Sequence, residues 1–366
     1  MSSSAELLKQ LAAPETAERL AAQPARLAQL ARLLLAGGET QRAVDLAHRA
    51  RELAPDDPEV ERIVKLLLHR SVPDWHRSIL ADEARNAAYD AALRRAVRAG
   101  SRALDIGAGS GLLAMMAARA GAASVVSCEM NPAMAGVAAE IVARNGYADR
   151  INIVGKHSRQ LAIGTDLAEP VDILVSEIVT NDLLGEDVLG CMEDAVGRLT
   201  RPDATIIPSQ GAVRIALAYY GKLAKRQLTL VQGFDLSPMN VFDGRIDLAA
   251  GNETLDLRSQ PADLFAFDFA SGGPFTNHRT SVPLTATGGT VNGIVQWIRL
   301  QMDAEGVYEN RPGPGAASCW GVMFQPLPAP LEMRPGETLT VHGARDRTAL
   351  WMWVASEGTN STEIHP

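Results

Sequence analysis

The sequence predicts an α/β domain built on a parallel sheet, preceded by a short helical element and followed by a mostly β, barrel-like domain. Three observations carry this. Between Val72 and Pro208, apolar runs alternate with amphipathic helices, as in a parallel sheet covered on both faces. After Pro208 the helical period fades into short alternating strands with Gly, Pro and Asn turns, up to Val354. Before both, Ala22 to Arg70 is rich in Ala, Leu, Arg and Glu, with apolar residues at helical spacing. The 366 residues suffice for two or three packed units, and the boundaries fall at 1–71, 72–208 and 209–366.

In the first unit, Gly37-Gly38 and Pro55-Asp56-Asp57-Pro58 divide the pattern into helices at Leu27-Leu35, Thr40-Leu53 and Glu59-Leu68. The middle pattern looks like one tetratricopeptide-type hairpin. Stacking needs about three repeats to form a peptide groove, so this unit reads as a packing or dimerisation element, with a partner-binding arm as the alternative. Its stripe of Leu27, Leu30, Leu34, Leu46 and Leu53 requires a cover. In the second unit the strands are Ala103-Ile106, Ser124-Cys128, Ile151-Val154, Val171-Val175 and Ala204-Ile207, the last preceded by a helix from Asp187 to Leu199.

Composition bounds the function. Apolar residues make up 46% and charged residues 21%, as in an ordinary globular protein, and the net charge of -8 supplies no basic field for a phosphate backbone. No apolar stretch approaches the roughly 20 residues of a membrane span, and no signal-peptide pattern opens the chain. The expectation is a cytoplasmic protein that binds neither nucleic acid nor membrane. Cys128, Cys191 and Cys319 are scattered and odd in number, which suits reduced thiols rather than disulfides or a metal site.

The strongest local signal is Leu104-Asp105-Ile106-Gly107-Ala108-Gly109-Ser110-Gly111, a strand running through a glycine loop into a helix. Such a loop lets backbone approach a cofactor closely. Glu129, at the next strand end, can bridge two ribose hydroxyls. NAD, FAD and S-adenosylmethionine all fit this arrangement. The glycines fall at every second residue rather than as G-x-G-x-x-G, and the unit lies behind a helical segment; both features favour the methyl donor. A second constellation, Ser176 to Glu186, follows the strand Val171-Val175 and so faces the same crevice. Its carboxylates Glu177 and Glu186 converge only if the loop folds back, which Gly185 assists. Together they would grip a planar cation by forked hydrogen bonds. Without its neighbours the loop would read equally well as a solvated acidic turn.

Taken together, the glycine loop, Cys128-Glu129-Met130-Asn131-Pro132 and the Glu177–Glu186 loop resemble the protein arginine methyltransferase family. Its monomethylating (type III) branch is the most similar, through Arg144-Asn145-Gly146, Lys156-His157-Ser158 and Leu184-Gly185-Glu186. Ile79 to Asn86, with Tyr89, is similar to the family's cofactor-covering helix. The resemblance extends from about Trp75 to Val354. It implies a Rossmann-type class I methyltransferase domain, a β-barrel and a dimerisation arm, for which Asp235 to Leu257 is the candidate, and hence a homodimer. It also implies S-adenosylmethionine as cofactor and no metal. Arg85 would pair with the donor's methionine carboxylate, Asp105, Gly107 and Gly109 would belong to its cradle, Glu129 would hold its ribose, and His157 and Ser158 would lie at its adenine. Glu177 and Glu186 would clamp the substrate guanidinium.

The chain departs from that pattern at two places. Where the family has Thr-His-Trp, with its His paired to the residue matched by Asp82, this sequence has Ser318-Cys319-Trp320, and cysteine is a poor substitute for imidazole. The family's paired aromatics are missing between Val64 and Pro73; His76 reads either as part of that site or as a structural histidine. Asp82, His76 and Trp320 are the candidates on the substrate side. Bacterial relatives in natural-product routes such as that to streptozotocin methylate free arginine. The expected substrate is therefore free L-arginine, methylated once, with protein arginine as the alternative; Asn277, Arg279 and Arg311 are candidates to meet its α-groups. Nucleic-acid amino-methylation is disfavoured, since Ser176-Glu177-Ile178-Val179 replaces the Asn/Asp-Pro-Pro-aromatic tetrad. An inactive scaffold is disfavoured by the intact Arg85, Glu129, Glu177 and Glu186.

Overall fold

The structure, a computed structural model, describes residues 22–354 except Gly38, 72–74, Gln227 and Asp243. Helices α1 (Pro24–Ala36), α2 (Thr40–Leu53) and α3 (Pro58–Ser71) pack on one another. Pro24 and Pro58 open α1 and α3, where the missing N–H costs nothing. Leu27, Leu30 and Leu34 of α1 and Val60, Ile63, Val64 and Leu67 of α3 are buried in a core of their own, each worth roughly 1.5–3 kcal/mol. The leucine stripe is thus covered largely from within the chain, which removes the need for a partner there. Only Leu33 and Leu53 among the large apolar side chains of α1 and α2 are exposed.

Two further helices, α4 (Trp75–Ala81) and α5 (Glu83–Ala96), lead into the parallel sheet. Its strands are β1 (Arg102–Ile106), β2 (Ser124–Cys128), β3 (Ile151–Val154), β4 (Val171–Ser176) and β5 (Thr200–Ile207), in the order β3-β2-β1-β4-β5. Helices α6 (Leu112–Ala120), α7 (Pro132–Arg144) and α8 (Val188–Arg198) accompany them, and α2 packs on α7. The chain winds outward from β1 in one direction to β2 and β3 and in the other to β4 and β5, which opens a crevice at the carboxyl edge. Register fixes what meets there. Ile106 pairs with both Cys128 and Ser176, so Gly107, Glu129 and Glu177 leave three adjacent strands at one level.

The barrel-like domain uses β6 (Gln210–Tyr220), β9 (Ile246–Leu248), β10 (Leu255–Leu257), β13 (Gly289–Gln301) and β15 (Val322–Met333) in the order β10-β6-β13-β15-β9, with β11 (Ala262–Asp268) on β6 and β14 (Val307–Glu309) on β13. A second sheet holds β12 (His278–Thr285), β16 (Thr338–Arg345) and β17 (Leu350–Val354). Alternation along β6 and β13 serves two cores. Val213, Ile215, Leu217, Ile294 and Ile298 join the core shared with the parallel-sheet domain, whereas Ala216, Ala218, Tyr220, Val295 and Trp297 face a smaller one. Within 235–257, β9 pairs with β15 and β10 with β6. The part that stands off the sheets is instead 223–242, where β7 (Leu230–Val231) and β8 (Phe234–Asp235) pair only with each other.

Candidate active site

A cavity of about 600 Å³ lies at the carboxyl edge of the parallel sheet. Arg85, Gly107, Gly109, Glu129, His157, Ser158, Glu177 and Glu186 all line it, so eight residues from five separate stretches of sequence meet in one space. Gly107 has a φ of +86°, and a Cβ on it would stand 2.7 Å from Ile178 Cγ2; any side chain would be strained and would push the 177–186 loop aside. Glu129 anchors the glycine loop by accepting from the Gly109 amide at 3.0 Å, and its other oxygen accepts from the Asn131 amide at 2.8 Å. Asp105 lies beneath rather than in the cavity. Fully buried, it accepts from Ser127 Oγ at 2.7 Å, and burial pushes its carboxyl up to about 7 against that hydrogen bond.

His157 lines the cavity and caps a short turn, accepting through its ring from the Arg159 amide at 3.2 Å, while the His157 amide donates to Gln160 Oε1 at 3.1 Å. Ser158 is buried. Arg85, on the first turn of α5, donates through Nη2 to Glu177 Oε2 at 2.6 Å and through Nη1 to Asn86 Oδ1 at 2.8 Å, and lies over the Tyr89 ring. Its Nε is buried with no acceptor. An orphaned guanidinium N–H, a bare glycine cradle and a carboxylate at the next strand end fit a donor that carries a carboxylate at one end and a ribose in the middle.

The 177–186 loop does fold back. Thr180 Oγ1 accepts from the Gly185 amide at 3.0 Å and donates to Asp182 Oδ1 at 2.6 Å, and a Cβ on Gly185 would collide with Thr180. The turn is tight enough that Leu183, Glu186 and Asp187 all take the left-handed conformation, with φ of 72°, 59° and 56°. Each costs of order 1–3 kcal/mol. Asp187 is ion-paired to Arg159, which ties the clamp loop to the His157–Ser158 segment. Burial raises the Glu177 carboxyl to about 7 despite Arg85, and burial with Glu129 nearby raises Glu186.

The barrel packs against the 177–186 loop and Asp82. Trp320 is buried, donates through Nε1 to the Val179 carbonyl at 3.2 Å, and the next amide, Gly321, donates to Asn181 Oδ1 at 3.0 Å. Asp82 caps α5 by accepting from the Arg85 amide, and its other oxygen accepts from the Cys319 amide. Neither Asp82 nor Trp320 lines the cavity; Asp82 holds the Arg85 amide, and Trp320 holds the Val179 carbonyl, next to the cavity-lining Ile178. Sequence reasoning missed Tyr308, whose hydroxyl donates to Asp82 at 2.6 Å; a tyrosine on a three-residue strand offered no signal. Arg279 belongs to a separate surface hollow with Ser281, His342 and Trp353. The His76 side chain lies outside the described residues.

A parallel sheet with this order, a glycine cradle and a carboxylate at the next strand end suit a nucleotide-type cofactor, and two glutamates of one loop face the same cavity. Comparisons with known proteins agree. Residues 91–211 match the family model described as ribosomal protein L11 methyltransferase (PrmA). The arginine N(omega)-methyltransferase of Streptomyces achromogenes subsp. streptozoticus is 39% identical over 279 residues, covering 75% of this chain and 77% of that protein. Protein arginine N-methyltransferase 7 of Oryza sativa subsp. indica is 33% identical over 62% of this chain, which spans only 35% of that relative's length. Among solved structures, an arginine methyltransferase enzyme-prozyme heterotetrameric complex with AdoHcy from Trypanosoma brucei superposes with a TM-score of 0.68 at 22% identity, covering 78% of this chain and 98% of that one. The chain belongs to the protein arginine methyltransferase family and is an S-adenosylmethionine-dependent methyltransferase.

Proposed function

We propose that this enzyme transfers one methyl group to an ω-nitrogen of free L-arginine. The observation that carries the arginine reading is the convergence of Glu177 and Glu186, from the two ends of one closed loop, on the cavity that also holds the glycine cradle. S-adenosylmethionine supplies the methyl group when bound. Arg85, with its spare Nε, would take the donor's carboxylate, Glu129 its ribose, and the His157–Ser158 segment its adenine. Asp105 would support the cradle from below.

Arginine has a side-chain pKa above about 12, so full deprotonation of the ground state would face a large barrier. Glu177 and Glu186 instead hold the guanidinium in place and draw its positive charge onto the nitrogens they bind, which leaves the third nitrogen more nucleophilic. As that nitrogen forms its new bond to carbon it becomes acidic, and a Glu186 carboxylate oxygen or a water beside it takes the proton.

The free amino acid and the biosynthetic role are supported by the Streptomyces relative, whose name carries no protein substrate. Protein arginine is the second reading, supported by the relatives named protein arginine N-methyltransferase 7. Mass spectrometry of products from free arginine and from Arg-Gly-rich peptides, run side by side, tests this. Free arginine should give the higher turnover per unit concentration and stop at one methyl; markedly better peptides would overturn the substrate while leaving the reaction.

The same reading includes a cytoplasmic, homodimeric enzyme that binds no nucleic acid. No helix among the described residues is long and apolar enough to cross a membrane. Dimerisation is supported by the 223–242 segment, where Leu230 and Phe234 are 71% and 72% exposed and Met239 is 52% exposed. Leu230→Asp with Phe234→Asp should shift a sizing profile to monomer; an unchanged dimer would point elsewhere.

A further inference from the structure

We propose that Tyr308 is a positioning residue of the methyltransferase site: its hydroxyl holds Asp82 in place at the N-cap of α5, and Asp82 in turn sets Arg85. The inference goes beyond the reading above and rests on it in one respect, that Arg85 grips the methyl donor.

The geometry forms a closed circuit. Tyr308 donates to Asp82 Oδ2 at 2.6 Å, and the Cys319 amide donates to the same oxygen at 2.8 Å. Asp82 Oδ1 accepts from the Arg85 amide at 2.9 Å, and the Arg85 side chain reaches Glu177 at 2.6 Å. From that loop the path returns through the Val179 carbonyl to Trp320 Nε1, then from the Trp320 amide to Ser318 Oγ at 3.0 Å, and from Ser318 Oγ to the Tyr308 oxygen at 2.7 Å. Because the single Tyr308 proton points at a carboxylate, the Ser318 hydroxyl is the donor in the last link. The Tyr308 ring packs edge-on against Trp320 at 5.4 Å between centroids, and both side chains are buried.

Charge placement is consistent with that direction. Burial works to raise Asp82, but hydrogen bonds from Tyr308 and from the Arg85 and Cys319 amides outweigh it and hold the carboxyl below its usual range. Burial and Asp82 together push the Tyr308 phenol well above its ordinary value, so the proton stays on the tyrosine. Position 319 offers Asp82 a strong donor only through its backbone, since a thiol is a weak one. The phenol is the strong side-chain donor that completes the carboxylate.

A hydrogen bond to a buried carboxylate is worth enough to matter at the next link. Tyr308→Phe keeps the ring on Trp320 and removes only the hydroxyl. In the protein without donor, hydrogen exchange at the Arg85 amide should speed up. By calorimetry, S-adenosylhomocysteine affinity should fall roughly tenfold, while KM for the methyl acceptor stays within about twofold. In an Asp82→Asn background the same change should cost little more, because both act through one contact. Unaltered exchange and donor affinity in Tyr308→Phe, or an equal further loss in the Asp82→Asn background, would overturn the proposal. Arg85→Ala separates the two readings: if it leaves donor affinity unchanged, the Arg85 assignment fails, and exchange at the Arg85 amide alone decides the role of Tyr308.

Discussion

The two ends of the clamp loop are built in opposite ways. Glu177 is the first residue after β4, its side chain is 7% exposed, and Arg85 already holds it. Glu186 lies nine residues on in a strained left-handed turn, and its side chain makes no hydrogen bond or ion pair among the described residues. One carboxylate is committed by the protein itself; the other is held in position by backbone and lines the cavity. The difference teaches that the pair need not share its work equally. In the proposed reaction Glu177 would join acceptor to donor through Arg85, whereas Glu186 would be free to respond to the guanidinium and to the proton it sheds.

The largest effect that sharpens this contrast is on turnover. Glu186→Gln should lower kcat by a factor of about 10²–10³, the usual cost of losing one preorganised electrostatic contact, with S-adenosylhomocysteine affinity unchanged. Glu177→Gln should lower kcat comparably and also alter cofactor affinity, since it leaves the buried Arg85 without its anion. Identical calorimetric behaviour of the two variants would erase the distinction.

A smaller effect concerns pH. With the Glu177 carboxyl raised to about 7 and Glu186 raised in the same direction, the free enzyme is partly protonated in neutral buffer. Acceptor kcat/KM should therefore rise with pH and level off above about 7, and Glu177→Gln should remove most of that acid limb. For stability the sign is reversed. The folded state holds this proton more tightly than the unfolded chain, so between about 4.5 and about 7 the folded protein binds more protons and loses stability as pH rises. Asp105, also raised to about 7, adds a contribution of the same sign. Urea titrations of the parent and Glu177→Gln at both ends of this window isolate the glutamate; parallel pH slopes would refute it.

Much of the cofactor half was legible because it is local. The stretch from Leu104 to Gly111 carries its own strand, turn and helix start, and Glu177 to Glu186 contains both the carboxylates and the Thr180 and Gly185 that fold them together. The barrel half was not, because its decisive contacts join distant parts of the chain. Tyr308 meets Asp82 across 226 positions, and Trp320 meets Val179 across 141; no spacing in a sequence announces either. Arg279 stood among the candidates to meet the substrate's α-groups, and the sheet places it in a hollow separate from the cavity. The standing-off segment was placed too far along the chain for a related reason: β9 and β10 are three residues each and become strands only by pairing with β15 and β6.

The left-handed run at Leu183, Glu186 and Asp187 bears on how this enzyme should be engineered. Glycine would relax the backbone at 186 and 187, so any library ranked by melting temperature would reward replacing these two acidic residues. It would do so while discarding the cavity carboxylate proposed to clamp the substrate and the aspartate that Arg159 holds. Selection for robustness and selection for turnover therefore pull apart at two adjacent codons, and thermal screens of this protein need an activity filter there.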